Sequence, residues 1–256
     1  MLKMNIKKQF LFLIRKKSLL KLMRIQLKLI GTMRFDVITL FPEIVEAMTQ
    51  SIVGKAVEKK LISIHCHNPR DYSSYPHKQV DDKPYGGGPG MVLQYEPIVK
   101  TLENIKKNTS FQNNQRLVVY LSPSGKLFKQ SYIQHFKSFQ QIIFISGKYE
   151  GIDQRIIDHH VDEVWSVGPY VLSGGELPSC IMIDSISRSI KGVLGNEASF
   201  NQDFDASDYD TNYPVYTRPE IIDGHEVPKI LLSGHHAKIK AWLKDKKCPR
   251  SNENDQ

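Results

Sequence analysis

Trp165-Ser166-Val167-Gly168-Pro169-Tyr170-Val171-Leu172-Ser173-Gly174-Gly175-Glu176-Leu177-Pro178 is the stretch that decides how this 256-residue chain folds. A short apolar strand ends in it, a loop carrying Gly168, Gly174 and Gly175 follows, and Pro178 opens a helix. Glycine lacks the Cβ that keeps a ligand off the backbone, so such a strand-to-helix loop can present N–H and C=O groups at close range. Its only charge is Glu176, which suits a mixed polar ligand better than a bare phosphate. Read alone, the stretch is equally an ordinary βα connection with generous glycine content.

Two further loops of the same kind lie upstream. Gln141-Ile-Ile-Phe-Ile-Ser146 has the pattern of a buried strand and runs into Gly147-Lys-Tyr-Glu-Gly-Ile-Asp153, then a helical run through His160. Arg116-Leu-Val-Val-Tyr-Leu121 leads likewise into Ser122-Pro-Ser-Gly-Lys126. Three apolar strands, each ending in a Ser/Gly-rich turn, imply a parallel α/β sheet with a ligand at the carboxyl ends of its strands. There is no G-x-G-x-x-G, because Met91 stands where the third glycine would follow Gly86 and Gly88, and no G-K-[ST]. A Rossmann dinucleotide site and a P-loop are therefore both unsupported.

Around this centre the remaining elements can be laid out. Arg34–Leu40 reads as a strand, Pro42 starts a helix reaching about Lys60, and Leu61–Cys66 is a second strand. Residues 68–90 are polar and glycine-rich, a functional loop rather than a core element. A helix near Pro97–Lys107 leads to the strand at Arg116, and strands and helices then alternate to Lys191. From Gly192 to Pro214 the sequence turns polar and acidic, the composition of a solvated linker. The expected organisation is a basic extension at 1–32, a ligand-binding domain at 33–191, a linker at 192–214, a short segment with a helix near Gly234 at 215–247, and a disordered tail at 248–256.

The formal charge of +8 suggests nucleic acid, but its distribution corrects that impression. Residues 1–32 hold nine basic side chains and no acid, leaving 26 basic against 27 acidic residues from Met33 onward. The excess belongs to the extension, and RNA affinity of the body must come from local patches. Phe10-Leu-Phe-Leu-Ile14 is too short for a secretory core or a membrane span. The extension reads as a surface-lying amphipathic helix, as an organelle-directing peptide, or, most plainly, as sequence upstream of a true start at Met33. No membrane is expected for the folded body. Three widely spaced cysteines (Cys66, Cys180, Cys248) without a C-x-x-C fit a reduced cytoplasmic protein. His65 and His67 alternate with Cys66 on a strand and face away from it, so no zinc site is expected.

Phe41-Pro-Glu43, Tyr85-Gly-Gly-Gly-Pro-Gly-Met91, Leu121-Ser-Pro123, Gly147-Lys-Tyr-Glu-Gly-Ile-Asp153, Tyr170-Val-Leu-Ser-Gly-Gly-Glu-Leu-Pro178, Tyr216-Thr-Arg-Pro219 and Leu231-Leu-Ser-Gly-His235 occur in this order. Together they closely resemble the bacterial tRNA (guanine-N1)-methyltransferase family, over Met33 to about Leu243. The resemblance implies an α/β parallel-sheet methyltransferase domain with a C-terminal trefoil knot (the SPOUT class), followed by a short helical segment. It implies a cytoplasmic homodimer with an active site shared between subunits. The partner is the tRNA anticodon stem-loop, whose guanine 3′ to the anticodon is methylated at N1. Family members continue into several further helices, so the C-terminal segment here is a shortened tRNA-holding domain.

It also implies the site. S-adenosylmethionine would be held by Leu121, Ser122 and Pro123, by Gly147, Tyr149, Glu150 and Gly151, and by Val167, Gly168, Pro169, Tyr170, Val171, Leu172, Gly174 and Gly175. Glu150 would face the cationic methionine end or an associated Mg2+, whose ligands are otherwise unassigned. Lys148 stands where arginine is common, and Pro169, which removes a backbone donor, where aspartate is common. Transfer to N1 requires the N1 proton to leave and the charge developing on O6 to be stabilised. By resemblance Asp203 is the general base, counted forward from Glu197-Ala-Ser199, with Asp205 two residues beyond it. Arg188 is the partner at O6, its guanidinium permanently charged and forked; spacing alone would equally make it an i,i+4 ion-pair partner of Asp184. The competing reading is a non-catalytic RNA- or cofactor-binding relative, motivated by Pro169, the short C terminus and the basic extension.

Overall fold

The computed structural model describes residues 32–194 and 214–246. The chain divides into two compact units, Met1–Glu197 and Ala198–Gln256. In the first, five strands form one parallel sheet in the order β2-β1-β6-β5-β7. They are β1 (Met33–Ile38), β2 (Ile62–His67), β5 (Arg116–Leu127), β6 (Gln141–Ser146) and β7 (Glu163–Ser166). A short antiparallel pair, β3 (Asp81–Asp82) with β4 (Val92–Leu93), lies outside this sheet.

Both faces of the sheet are covered, which is why its strands read as continuous apolar runs. On one face, Phe35, Val37, Leu117, Val119, Ile142 and Phe144 pack beneath four helices. These are α1 (Pro42–Ala47), α2 (Ile52–Glu58), α4 (Ile133–Phe136) and α6 (Glu176–Arg188). On the other face, Ile38, Val118, Tyr120, Ile143 and Ile145 meet α3 (Tyr95–Lys107) and α5 (Gln154–His160). Within β6, Ile142 and Phe144 thus face one core while Ile143 and Ile145 face the other, as the period of two requires. Each such side chain taken out of water stabilises the fold by roughly 2 kcal/mol.

Among the buried charged groups Asp36, Arg116 and Glu176, the first lies deepest in this apolar frame. Asp36, on β1, is fully buried. It accepts hydrogen bonds from Arg34 Nε and Nη2, His67 Nε2 and Gln141 Nε2, all at 2.7 Å. Gln141 Oε1 in turn accepts from Arg116 Nε at 2.7 Å. The network ties together residues of β1, β2, β5 and β6, and every acceptor oxygen of Asp36 is used.

The structure corrects several expectations. The helix predicted from Pro42 to Lys60 is two helices separated by a 3-10 turn at Met48–Gln50. At the break Gly54 lies so close to the Thr49 carbonyl that a Cβ would stand 1.7 Å from its oxygen, an approach a continuous helix cannot make. β5 does not end at Leu121: it bulges over Ser122–Gly125 and resumes pairing with β7 at Lys126. α6 starts at Glu176 rather than Pro178, so the proline occupies its first turn, where its missing N–H costs nothing. Nor is the 68–90 stretch all loop, since Val80 and Pro69 are buried.

The second unit begins its described part with β8 (Ile221–Ile222) and β9 (His225–Glu226), an antiparallel pair. Asp223 and Gly224 join them, both with positive φ (52 and 78°), the geometry an Asp-Gly hairpin turn needs. α7 (Lys229–Leu232) and α8 (His236–Asp245) follow. The expected base Asp203, its neighbour Asp205 and residues 195–213 of the linker region lie outside the described residues.

Candidate functional site

The bulge of β5 and the carboxyl ends of β6 and β7 open onto one cavity of about 260 Å³. Its walls are the start of that bulge, Leu121–Pro123, and the loops that follow β6 and β7, Gly147–Gly151 and Val167–Gly175 with Pro169 excepted. Of the residues expected to hold a cofactor, all but Pro169 line this space; Pro169 is exposed on the same loop. Tyr120, Lys148, Trp165, Ser166, Ser173 and Pro178 line it as well. These six were not picked from the sequence, although each adjoins or interrupts a quoted motif. Position beside or inside those motifs was the available signal.

The loops are held by backbone contacts and by two side chains, Ser166 and Tyr120. β5 lies between β6 and β7, so the segment after Ser166 crosses the end of β5 to reach β6. There the Gly175 N–H donates to the Gly147 carbonyl at 2.9 Å, and Lys148 and Gly174 form an isolated antiparallel bridge. A Cβ on Gly175 would stand 2.6 Å from Ser146 Cα, so only glycine permits this crossing. The Ser166 hydroxyl donates to the Gly168 carbonyl (2.9 Å) and accepts from the Gly168 N–H (3.2 Å), closing the turn that leaves β7. Tyr120, from inside the second core, braces the middle loop: its ring is 3.0 Å from where a Gly147 Cβ would be. Burial pushes its phenol pKa up, so it remains a neutral wall.

The cavity's charged lining consists of Lys148 and Glu150. Lys148 Nζ stands 5.0 Å from the centroid of the Phe41 ring, at the start of α1. Glu150 is exposed, and its N–H donates to the Met91 carbonyl at 3.0 Å. A backbone-lined pocket with one acid and one base suits a ligand that is part heterocycle and part zwitterion. It suits a polyphosphate poorly, because Lys148 is the lining's one cation and the acids Glu150 in the lining and Glu176 in the first turn of α6 would oppose an anion.

Arg188 is not part of this cavity. It occupies the last turn of α6, whose first turn supplies Pro178 to the wall. Arg188 lies twelve helical steps beyond Glu176, about 18 Å along the axis. Within one chain, therefore, the site brings together the ligand-holding loops but not the arginine expected to act with them.

Comparison with known proteins accords with this geometry. Residues 33–255 match the family model described as tRNA (Guanine-1)-methyltransferase TrmD. The chain is 47% identical over 210 residues to a tRNA (guanine-N(1)-)-methyltransferase of Buchnera aphidicola subsp. Acyrthosiphon pisum, covering 81% of this chain and 86% of that protein. It is 46% identical over 211 residues to one from Legionella pneumophila subsp. pneumophila (82% and 83% covered). It is 42% identical over 221 residues to one from Actinobacillus pleuropneumoniae serotype 5b (86% and 88% covered).

Proposed function

The chain belongs to the tRNA (guanine-1)-methyltransferase family, and from that premise we propose that it methylates N1 of the guanine 3′ to the anticodon in tRNA. The observation that carries this reading is the cavity at the bulge of β5 and the carboxyl ends of β6 and β7, built from the segments in which the family motifs lie. Gly147, Gly168, Gly174 and Gly175 line this cavity and pack so tightly against Tyr120, Tyr170, Glu176 and Ser146 that a Cβ would collide with them; the fit to S-adenosylmethionine rests on the mixed polar and apolar wall they shape. Leu121–Pro123 and Val167–Gly175 would hold the adenosine by backbone groups, and Glu150 would face the cationic methionine end. When bound, S-adenosylmethionine supplies an electrophilic methyl group. Mg2+ belongs to this reading through Glu150, with its other ligands unassigned.

The chain's residues then have three tasks. The loops fix the direction of approach, an effect of positioning rather than of chemistry. The Asp203 carboxylate takes the proton from guanine N1, freeing the lone pair that attacks. The Arg188 guanidinium donates hydrogen bonds to O6, where negative charge accumulates as that proton leaves. The guanine must leave its stack to reach them, at a cost of a few kcal/mol that is smaller in an anticodon loop than in a duplex.

We place Arg188 in a site shared between two subunits of a homodimer, since the length of α6 keeps it from the cavity of its own chain. The exposed apolar residues Phe41 and Ile44 of the α1 region and Leu177 and Ile181 of α6 suit such an interface. α1 lies beside α6, with Cys180 Sγ 3.9 Å from the Ile44 carbonyl. The trefoil threading accords with the crossing of the 167–175 segment over β5. A cytoplasmic location follows from the substrate; no described helix is long and apolar enough to cross a membrane. We retain 33–191 as the knotted domain, 192–214 as the linker and 215–247 as the shortened tRNA-holding domain.

The test is methyl transfer from labelled S-adenosylmethionine to a tRNA transcript with guanine beside the anticodon, with the full chain and its Asp203→Ala variant. N1-methylguanine at that position, with the rate lowered at least about a hundredfold in the variant, is the expected result. A protein that binds the cofactor yet yields no product on any tRNA would refute the reading.

A further inference from the structure

The run Gly86-Gly87-Gly88-Pro89-Gly90 looks uniform in sequence, but its glycines are not equivalent. Gly86, Gly87 and Gly88 have φ of +86, +79 and +128°, and a Cβ on any of them would meet nothing within 4 Å. Gly90 has nearly the same φ, +83°, yet a Cβ there would stand 2.6 Å from Glu150 Cγ and 2.7 Å from Glu150 Oε1. The backbone on which it sits is anchored. Directly after it, the Met91 carbonyl accepts from the Glu150 N–H (3.0 Å). The Leu93 N–H donates to the Gly151 carbonyl, and the Asp153 N–H to the Leu93 carbonyl, each at 3.0 Å. Leu93 is itself buried in the second core. An added side chain at 90 therefore could not push its own backbone away; the group that would have to yield is the exposed Glu150 side chain.

We propose that Gly90 is a positioning residue for methyl transfer, its bare α-carbon forming the seat that holds the Glu150 side chain at the wall of the cavity. The tip of the loop, Gly86–Gly88, takes no part in this seat. The inference rests on the reading of Glu150 as the acid facing the cationic end of S-adenosylmethionine. It adds that a residue of a different loop, outside the cavity lining, sets where that acid stands. Displacement of a single charged group by an ångström or more is enough to lower a rate by an order of magnitude or beyond.

Four full-length variants test it: Gly86→Ala, Gly90→Ala, Glu150→Ala and the double variant Gly90→Ala/Glu150→Ala. Gly86→Ala imposes the same left-handed backbone on alanine without the contact, so it isolates backbone strain. Melting temperatures of Gly86→Ala and Gly90→Ala should fall by similar amounts. Gly90→Ala alone should weaken S-adenosylhomocysteine binding and lower kcat/KM for the methyl donor, by about tenfold or more. Its KM for tRNA should not change. In the Glu150→Ala background, where the clash is gone, adding Gly90→Ala should cost less than about twofold. Equal activity losses for Gly86→Ala and Gly90→Ala, or a Gly90→Ala loss that persists undiminished without the Glu150 side chain, would overturn the proposal. Should the wild-type chain make no product, the methyltransferase reading fails separately, and the same comparison of the four variants is decided by calorimetric titration with S-adenosylhomocysteine.

Discussion

Asp36 shows how much one buried charge can govern. Burial alone pushes its carboxyl pKa up, but hydrogen bonds from His67, Arg34 and Gln141 outweigh that and hold it down to about 2. The ordinary value for an unfolded aspartate is about 3.9, so the folded state favours the charged form. The stabilisation is present in full above the unfolded pKa and is lost as pH falls through the folded one. A shift of this size corresponds to between about 2 and 3 kcal/mol at neutral pH. Asp36→Asn should therefore unfold at lower urea than the wild type near neutral pH, and the gap between them should narrow as pH drops from about 4 to about 2. A gap independent of pH across that window would mean that the charge on Asp36 contributes nothing. Little of this was legible in Met33-Arg-Phe-Asp-Val-Ile38, which reads simply as a strand from Arg34. The carboxylate's partners His67 and Gln141 are brought to it by strand order, which residue spacing along the chain does not reveal.

Among the elements, the Ser/Gly-rich segments in β5 and after β6 and β7 were readable because glycine and serine punctuate apolar runs too short to be anything but strands. Their convergence on one cavity was not written in any single loop; it follows from the placement of β5 between β6 and β7. The split between α1 and α2 was hidden for a different reason. Pro42 to Lys60 keeps helical spacing throughout, and only the contact of Gly54 with the Thr49 carbonyl records the break. Arg188 teaches the opposite lesson, since helix rise alone places it three turns from the end of α6 that meets the cavity. Gly175 carries the junction of these elements. Gly175→Ala should lower stability by about 1–3 kcal/mol, measured by calorimetric melting, because its Cβ would press on Ser146 Cα and the Gly147 N–H at the end of β6. It should also weaken cofactor binding. An unchanged melting temperature with unchanged binding would show that α6 does not depend on this close approach.

For the whole molecule, the question is how a site divided along α6 becomes complete. If two chains meet through the apolar residues of α1 and α6, Ile181→Glu should place a charge in the interface, at a cost that favours separated chains. Sedimentation should then give half the wild-type mass, with melting little changed and methyl transfer lost. A variant that still sediments with wild-type mass and turns over normally would remove α6 from the interface. The net charge reads differently at this scale too, because the first 32 residues account for the surplus and leave the body to engage RNA through arrangement rather than bulk attraction.

Trp165 has a consequence of another sort. It lines the cavity while its indole packs among Phe128, Tyr132 and Phe136, with Lys126 Nζ 5.0 Å from its ring centroid and Nε1–H donating to Glu163. The other tryptophan, Trp242, belongs to the second compact unit. The molecule thus carries its own optical gauge: indole emission responds to local field, so filling the cavity that Trp165 lines should shift the signal of this one fluorophore. Occupancy can be followed in real time, without a label, by the colour of the protein's own ultraviolet glow.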